Sequence, residues 1–122
     1  MSNSKKTLII GASENTARYA NMAFHSLNRH GHEIVMIGNK EGEIDAHPIL
    51  KGTPEVNDID TITLYLNPKN QESYYDYILS LKPKRIIFNP GTENQNLEKL
   101  ASLDGIETIQ ACTLVMLSTG QF

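Results

Sequence analysis

Short apolar runs of strand length alternate with stretches of helical period along most of the chain, and this alternation narrows the fold more than any other feature. Thr7-Leu8-Ile9-Ile10 is apolar on consecutive residues, ends at Gly11, and reads as a strand buried on both faces. From Thr16 to His30 the period changes. Ala17, Ala20, Phe24 and Leu27 recur at helical spacing, with Arg18, Asn21, Asn28 and Arg29 between them and Gly31 as the stop. Ile34 to Ile37 is a second strand, ending at Gly38. The segment Asn39 to Asp60 holds Gly42, Pro48, Gly52 and Pro54, and predicts a loop with at most a short strand at Ile49-Leu50.

The alternation then resumes. Thr61 to Leu66 is β-branched and aromatic, a strand signal. Asn67-Pro68 places a cap and a first-turn proline ahead of a helix in which Tyr75, Ile78 and Leu81 or Lys82 share a face, and Pro83 ends it. Arg85 to Phe88 is the next strand. Thr92-x-x-Gln95 fits a capping box for a helix with Leu97, Leu100, Ala101 and Leu103 on its apolar side, closed by Asp104-Gly105. Glu107 to Ile109 is a last short strand, and Cys112 to Phe122 carries no clear period.

Helical crossovers between buried strands require a parallel sheet covered on both faces. With right-handed connections the expected fold is α/β: a single Rossmann-like, doubly wound, mostly parallel five-stranded sheet with helices on both faces, one domain over residues 1–122. A chain of 122 residues buries enough surface for one core without a metal or disulfide. Its net charge of −3 lacks the broad basic footprint of sequence-independent nucleic-acid binding. No run approaches the roughly 18 apolar residues of a membrane span. The polar MSNSKKT opening is unlike a signal peptide, and the single Cys112 allows no internal disulfide, so a cytoplasmic location is expected.

In such sheets ligands bind beyond the carboxyl ends of the strands. Here those ends are Gly11-Ala12-Ser13, Gly38-Asn39-Lys40, Leu66-Asn67-Pro68 and Asn89-Pro90-Gly91. Glycine, proline, asparagine and small hydroxyls suit binding through backbone amides better than acid–base catalysis. Gly11 lets a ligand approach the backbone where a helix begins, and free N–H groups there favour an anion. The full G-x-G-x-x-G fingerprint is absent, since Ser13 and Thr16 stand in place of its second and third glycines. Glu14 would repel a phosphate in that turn, and Arg18 would offset it. Lys40 stands where an NAD site wants an acid, and so suits a ligand with a phosphate on its ribose. Against these stand an ordinary strand-to-helix turn and a solvated lysine neutralised by Glu41 and Glu43.

His25, His30, His32 and His47 have no metal-ligand spacing, and no G-x-S-x-G elbow surrounds Ser13 or Ser118. Tyr65, Tyr74, Tyr75 and Tyr77 read as core and helix-surface residues, with Tyr65 also placed to stack on a base. Cys112 packs as a small hydrophobe or, if its thiol lies near a ligand thiol, forms a mixed disulfide under oxidation.

Taken in order, strand-Gly11-Ala12-Ser13, Gly31-His32-Glu33, Lys40-Glu41-Gly42-Glu43-Ile44, Asn67-Pro68, Asn89-Pro90-Gly91 and the late Cys112 resemble the small stand-alone CoA-binding proteins. These share the nucleotide-binding fold of the N-terminal CoA domain of succinyl-CoA synthetase alpha subunits. The resemblance runs from about Lys6 to Met116. It implies coenzyme A or an acyl-CoA across the strand ends. Gly11, Ala12 and Ser13 would meet phosphate oxygens, with Arg18 beside them. Gly38, Asn39 and Lys40 would meet the adenosine end. Asn67 and Pro68 would border the adenine or pantetheine path, and Pro90 and Gly91 would flank the chain. This sequence has Gly38-Asn39-Lys40 where Asn-Pro-Lys is common, and Glu41 where a glycine is common. It holds no counterpart of the domain that carries the phosphorylated histidine, so no ligase chemistry follows.

The expected function is therefore binding of CoA or acyl-CoA without catalysis, with neither nucleic acid nor membrane as partner, and with a homodimer or a protein partner left open. Two alternatives remain: an NADP-linked oxidoreductase or redox sensor, for which neither Tyr-x-x-x-Lys nor a well-placed histidine is present, and a protein-interaction domain that has lost its ligand.

Overall fold

The computed structural model describes residues 4–122; Met1, Ser2 and Asn3, part of the polar opening, lie outside the described residues. In chain order the elements are β1 (Thr7–Ile10), α1 (Tyr19–Arg29), β2 (Ile34–Gly38), β3 (Gly42–Ile44), β4 (His47–Lys51), β5 (Thr61–Leu64), α2 (Pro68–Gln71), a 3-10 turn (Glu72–Tyr74), α3 (Tyr75–Leu81), β6 (Arg85–Phe88), α4 (Gln95–Leu103), β7 (Glu107–Gln110) and α5 (Thr113–Ser118). The strands form one sheet in the order β3-β4-β2-β1-β5-β6-β7, parallel throughout except for β3 against β4. Setting β3 aside, this is the doubly wound order 3-2-1-4-5-6, whose winding reverses between β1 and β5.

Alternation within the buried strands splits the core in two. Leu8 and Ile10 of β1 point to one face, where Ile62, Leu64, Ile86 and Phe88 meet Ile78 of α3 and Leu97 and Ala101 of α4. Ile9 points to the other, against Phe24 and Leu27 of α1, Met36 and Leu117 of α5. Each fully buried aliphatic or aromatic side chain stabilises the fold by about 1.5–3 kcal/mol, so the central strands hold both helical layers.

The mostly parallel α/β architecture is as expected, but the sheet has seven strands rather than five. The extra pair is the β3–β4 hairpin: β4 takes in the short strand allowed at Ile49-Leu50 and extends it to His47–Lys51, while β3 falls where a loop was expected. Its two-residue turn, Asp45-Ala46, has φ of 48° and 67°, the left-handed pair of a type I′ turn, here without glycine. Pro48 does not interrupt it, because pairing of β4 with β2 starts only at Ile49.

Two boundaries also move. α1 begins at Tyr19 rather than Thr16, because Asn15 accepts from Ala17 N through Oδ1 and from Arg18 N through its carbonyl, a local turn that competes with the helix. The cap of α4 is Asn94, whose Oδ1 accepts from Leu97 N at 3.2 Å, while Thr92 Oγ1 donates instead to the Asn89 carbonyl at 2.7 Å. Leu103 is 76% exposed, so the apolar side of α4 reduces to Leu97 and Ala101, with Leu100 half out. The unplaced tail folds as α5, which packs beside α1. Asn67 and Pro68 behave as expected, as cap and first residue of α2.

Candidate functional site

Four loops leave the carboxyl ends of β1, β2, β5 and β6 and enclose a cavity of about 630 Å³. Gly11, Ala12 and Ser13 follow β1; Gly38 and Asn39 close β2; Tyr65, Leu66 and Asn67 follow β5; Pro90, Gly91 and Thr92 follow β6. The cavity straddles the reversal between β1 and β5, where a doubly wound sheet leaves a crevice.

Close backbone packing sets the floor. Gly11 has φ +100°, and a Cβ there would lie 2.9 Å from the Tyr65 backbone. A Cβ on Gly38 would stand 2.6 Å from the Ala12 carbonyl oxygen. These glycines let the β1, β2 and β5 loops sit against one another. The N–H groups of Gly11 and Ala12 both donate to the Ile37 carbonyl at 2.9 Å. Tyr19 and Ala20, the first two residues of α1, whose N–H groups have no partner within the helix, also line the cavity. Arg18, their N-cap, lines the wall with them.

Ser13 is held from two sides. Its Oγ accepts from Asn15 N at 3.0 Å, and its carbonyl accepts from Asn21 Nδ2 at 3.0 Å. Asn21 falls on the polar side of the helical pattern yet is buried, because it fastens this loop to α1. Glu14 turns away from the cavity. Its Oε2 accepts from Glu43 N at 3.0 Å, and Gly42 leaves the room, since a Cβ there would lie 2.6 Å from the Glu14 carboxyl carbon. The repulsion expected from Glu14 is thus turned from the main cavity towards the hairpin edge and the depression beside it.

Lys40 stands beside the main cavity, in a shallow depression that it shares with Ala12, Ser13, Glu14, Asn39, Glu41 and Ile49. It makes no ion pair among the described residues. Pro68 does not line the cavity; it starts α2 and sets Asn67, whose Oδ1 accepts from Asn70 N at 2.9 Å. Of the expected residues, the structure therefore brings Gly11, Ala12, Ser13, Arg18, Gly38, Asn39, Asn67, Pro90 and Gly91 around one cavity, with Lys40 adjoining and Pro68 behind.

The wall also holds residues that the pattern did not single out: Tyr19, Asn70 and Tyr74. Asn70 lies three residues beyond the Asn67 cap and Tyr74 four beyond Asn70, the spacing that repeats a helical face, and that signal was available. Tyr65 lies at the back. Burial pushes its phenol up to about 12, against the nearby hydroxyls of Thr63 and Thr113, and its Oη meets hydrogen-bond geometry with neither. Behind it Asn89 is saturated: Nδ2 donates to Thr63 Oγ1 at 2.7 Å and to the Leu64 carbonyl at 2.9 Å, and Oδ1 accepts from Thr113 N at 2.8 Å. Cys112, the half-buried N-cap of α5, is not among the lining residues. Among the described residues no cluster of three or more histidine, cysteine or acidic side chains is placed to hold a metal, and no helix is long and apolar enough to cross a membrane.

Solved structures share this fold. A crystal structure described as that of an uncharacterized protein is 55% identical, covers 99% of this chain and 100% of its own, and superposes with a TM-score of 0.96. A hypothetical protein from Pyrococcus horikoshii OT3 (22% identity, 96% and 84% covered, TM-score 0.87) and a conserved hypothetical protein from Pyrococcus furiosus (24%, 91% and 97%, 0.79) share the fold. No curated protein matches. The family described as CoA binding domain matches residues 5–118, and with nearly the whole chain inside that match, the protein belongs to the family of CoA-binding domains.

Proposed function

We propose that the chain binds coenzyme A or an acyl-CoA across the carboxyl ends of β1, β2, β5 and β6, and contributes no catalysis of its own. The observation that carries this reading is the cavity itself, which spans four strand ends and is walled by amide-rich loops. Its donors match a polyanion. The Arg18 guanidinium and the Tyr19 and Ala20 amides would hold the diphosphate, with the Ser13 hydroxyl beside them. Lys40, unpaired in the adjoining depression, would meet the further phosphate on the ribose. Gly38 and Asn39 would border the adenosine. Tyr65, Leu66 and Tyr74 offer flat and apolar surface to adenine or pantetheine, between Asn67 and the Pro90-Gly91 turn.

The same wall is poorly suited to moving protons near neutral pH. Its titratable side chains are one arginine and three tyrosines, and Tyr65 is pushed further from neutrality, to about 12. CoA would supply the thiol or thioester chemistry, and the chain would hold it.

Calorimetric titration with CoA, acetyl-CoA, NAD and NADP tests the reading. The expected result is binding of CoA and its thioester ahead of both dinucleotides. Silence from CoA at millimolar concentration, with the protein folded, sinks it and leaves the interaction domain. A tighter response to NADP shifts the case to the redox reading. Lys40→Ala should weaken CoA binding by about 1 kcal/mol or more through loss of a charge-assisted contact. Unchanged affinity removes Lys40 from the site.

A further inference from the structure

We infer that Gln71 is a positioning residue that fixes the width of the cleft on its β5–β6 side, an inference that rests on the reading of this cleft as the CoA site. Gln71 is the last residue of α2 and is 0% exposed, whereas Pro68, Lys69 and Asn70 of the same helix are exposed. Its amide bridges the two loops that form this wall. Nε2 donates at 2.8 Å to the Leu66 carbonyl, in the β5 loop, and at 2.8 Å to the Thr92 carbonyl, in the β6 loop. One NH2 group thus spends both hydrogens on opposite loops. Gln71 Oε1 accepts from Asn94 Nδ2 at 3.0 Å, whose second hydrogen goes to Tyr75 Oη at 2.7 Å. Asn94 is itself the cap of α4 and Tyr75 opens α3, so the end of α2 and the starts of α3 and α4 meet in one hydrogen-bonded unit.

The unit needs a neutral donor of this length. An apolar side chain leaves two carbonyls without their bridge, and a shorter amide reaches one carbonyl only. Leu66, Asn67, Pro90, Gly91 and Thr92 all contact the cavity, so loss of the bridge lets the wall separate where a ligand would press against it. Gln71 does not line the cavity, so it acts through the loops alone.

The test compares wild type, Gln71→Leu and Gln71→Asn by amide hydrogen exchange and by CoA titration. Exchange is read at Thr92, whose N–H donates to the Asn89 carbonyl, and at Asn70, whose N–H donates to Asn67; neither bonds to Gln71. Gly11 and Ala12, bonded to the Ile37 carbonyl across the cleft, are the control. Gln71→Leu should speed exchange at Thr92 and Asn70 by about tenfold with the control pair unchanged, and weaken CoA binding by about tenfold, the scale of one lost buried hydrogen-bond partner. Gln71→Asn, the milder change, should move both readouts in the same direction by less. It carries the test if Gln71→Leu does not fold. Equal acceleration at all four amides reads as general destabilisation and overturns the inference, as does unchanged exchange and affinity in both variants. If wild type ignores CoA while the exchange result holds, the CoA reading fails and the coupling of the two loops stands.

Discussion

At the amino ends of the strands, Lys6 pairs with Glu33 and Lys84 with Asp60, each at 3.7 Å, and Arg85 stacks 4.4 Å from the centre of the Phe122 ring while its Nε donates to Thr61 Oγ1. Lys5 Nζ donates to the Phe122 carbonyl, and its own N–H donates to His32 Nδ1. At the carboxyl ends, asparagine and glutamine replace these charges. Asn21, Asn89, Asn94 and Gln71 are buried and spend their amides on loop carbonyls and helix caps. One end answers charge with charge and is packed shut around an aromatic ring. The other uses neutral groups to hold loops apart. Neutral amides can brace a cavity without filling it with a field of one sign, which on the proposed reading leaves Arg18 and Lys40 to meet the phosphates.

The sharpest way to break this comparison is Asn89→Ala. It leaves the Thr113 amide and the Leu64 carbonyl without their side-chain partner, at about 3 kcal/mol for two buried groups. Chemical denaturation measures this. A loss under about 1 kcal/mol would mean that the loops stand without their braces. Arg85→Met is the counterpart at the other end. It removes the bond to Thr61 and the stacking on Phe122, at about 1–2 kcal/mol, and should leave CoA titration as in wild type. Weakened CoA binding in a folded Arg85→Met protein would show that the two ends are not independent.

How much of this was legible follows from what each feature depends on. β1, β2 and β6 announce themselves, since a strand covered on both faces must be apolar on consecutive residues, and β5 does so by its β-branched run. The β3–β4 hairpin does not. Its turn places Ala46 at φ 67°, a conformation that local chemistry disfavours and that only the surrounding packing holds, including Glu14 against Gly42. The strand-end loops of the site were readable because the fold rule fixes where a ligand goes. Their bracing was not, because Asn21 and Gln71 look like surface residues until distant carbonyls come to meet them. Asn15 shows the same limit on a shorter scale: a side chain that makes a local turn delays a helix whose apolar spacing begins earlier.

The smallest effect separates the two ends by pH. His32 accepts the Lys5 N–H at 2.9 Å through Nδ1, which requires the neutral ring. Burial lowers its pKa below the ordinary 6.5, and Lys5, His30 and Arg85 lower it further, opposed by Asp60. The unfolded chain then binds the proton more readily than the folded one. The resulting penalty is absent above pH 6.5 and grows as pH falls through 6.5 towards the lowered folded value. Because the ring is only partly buried, the loss is small. Thermal unfolding of wild type and His32→Asn between about pH 7.5 and 5 should show it, since the asparagine carbonyl still accepts from Lys5 and does not titrate. The gap between the two proteins should change in favour of His32→Asn as the solution is acidified. A constant gap would mean that the amino end carries a neutral or well-hydrated imidazole at every pH in that range. Its closure would then rest on Arg85, Phe122 and the two lysine–carboxylate pairs alone.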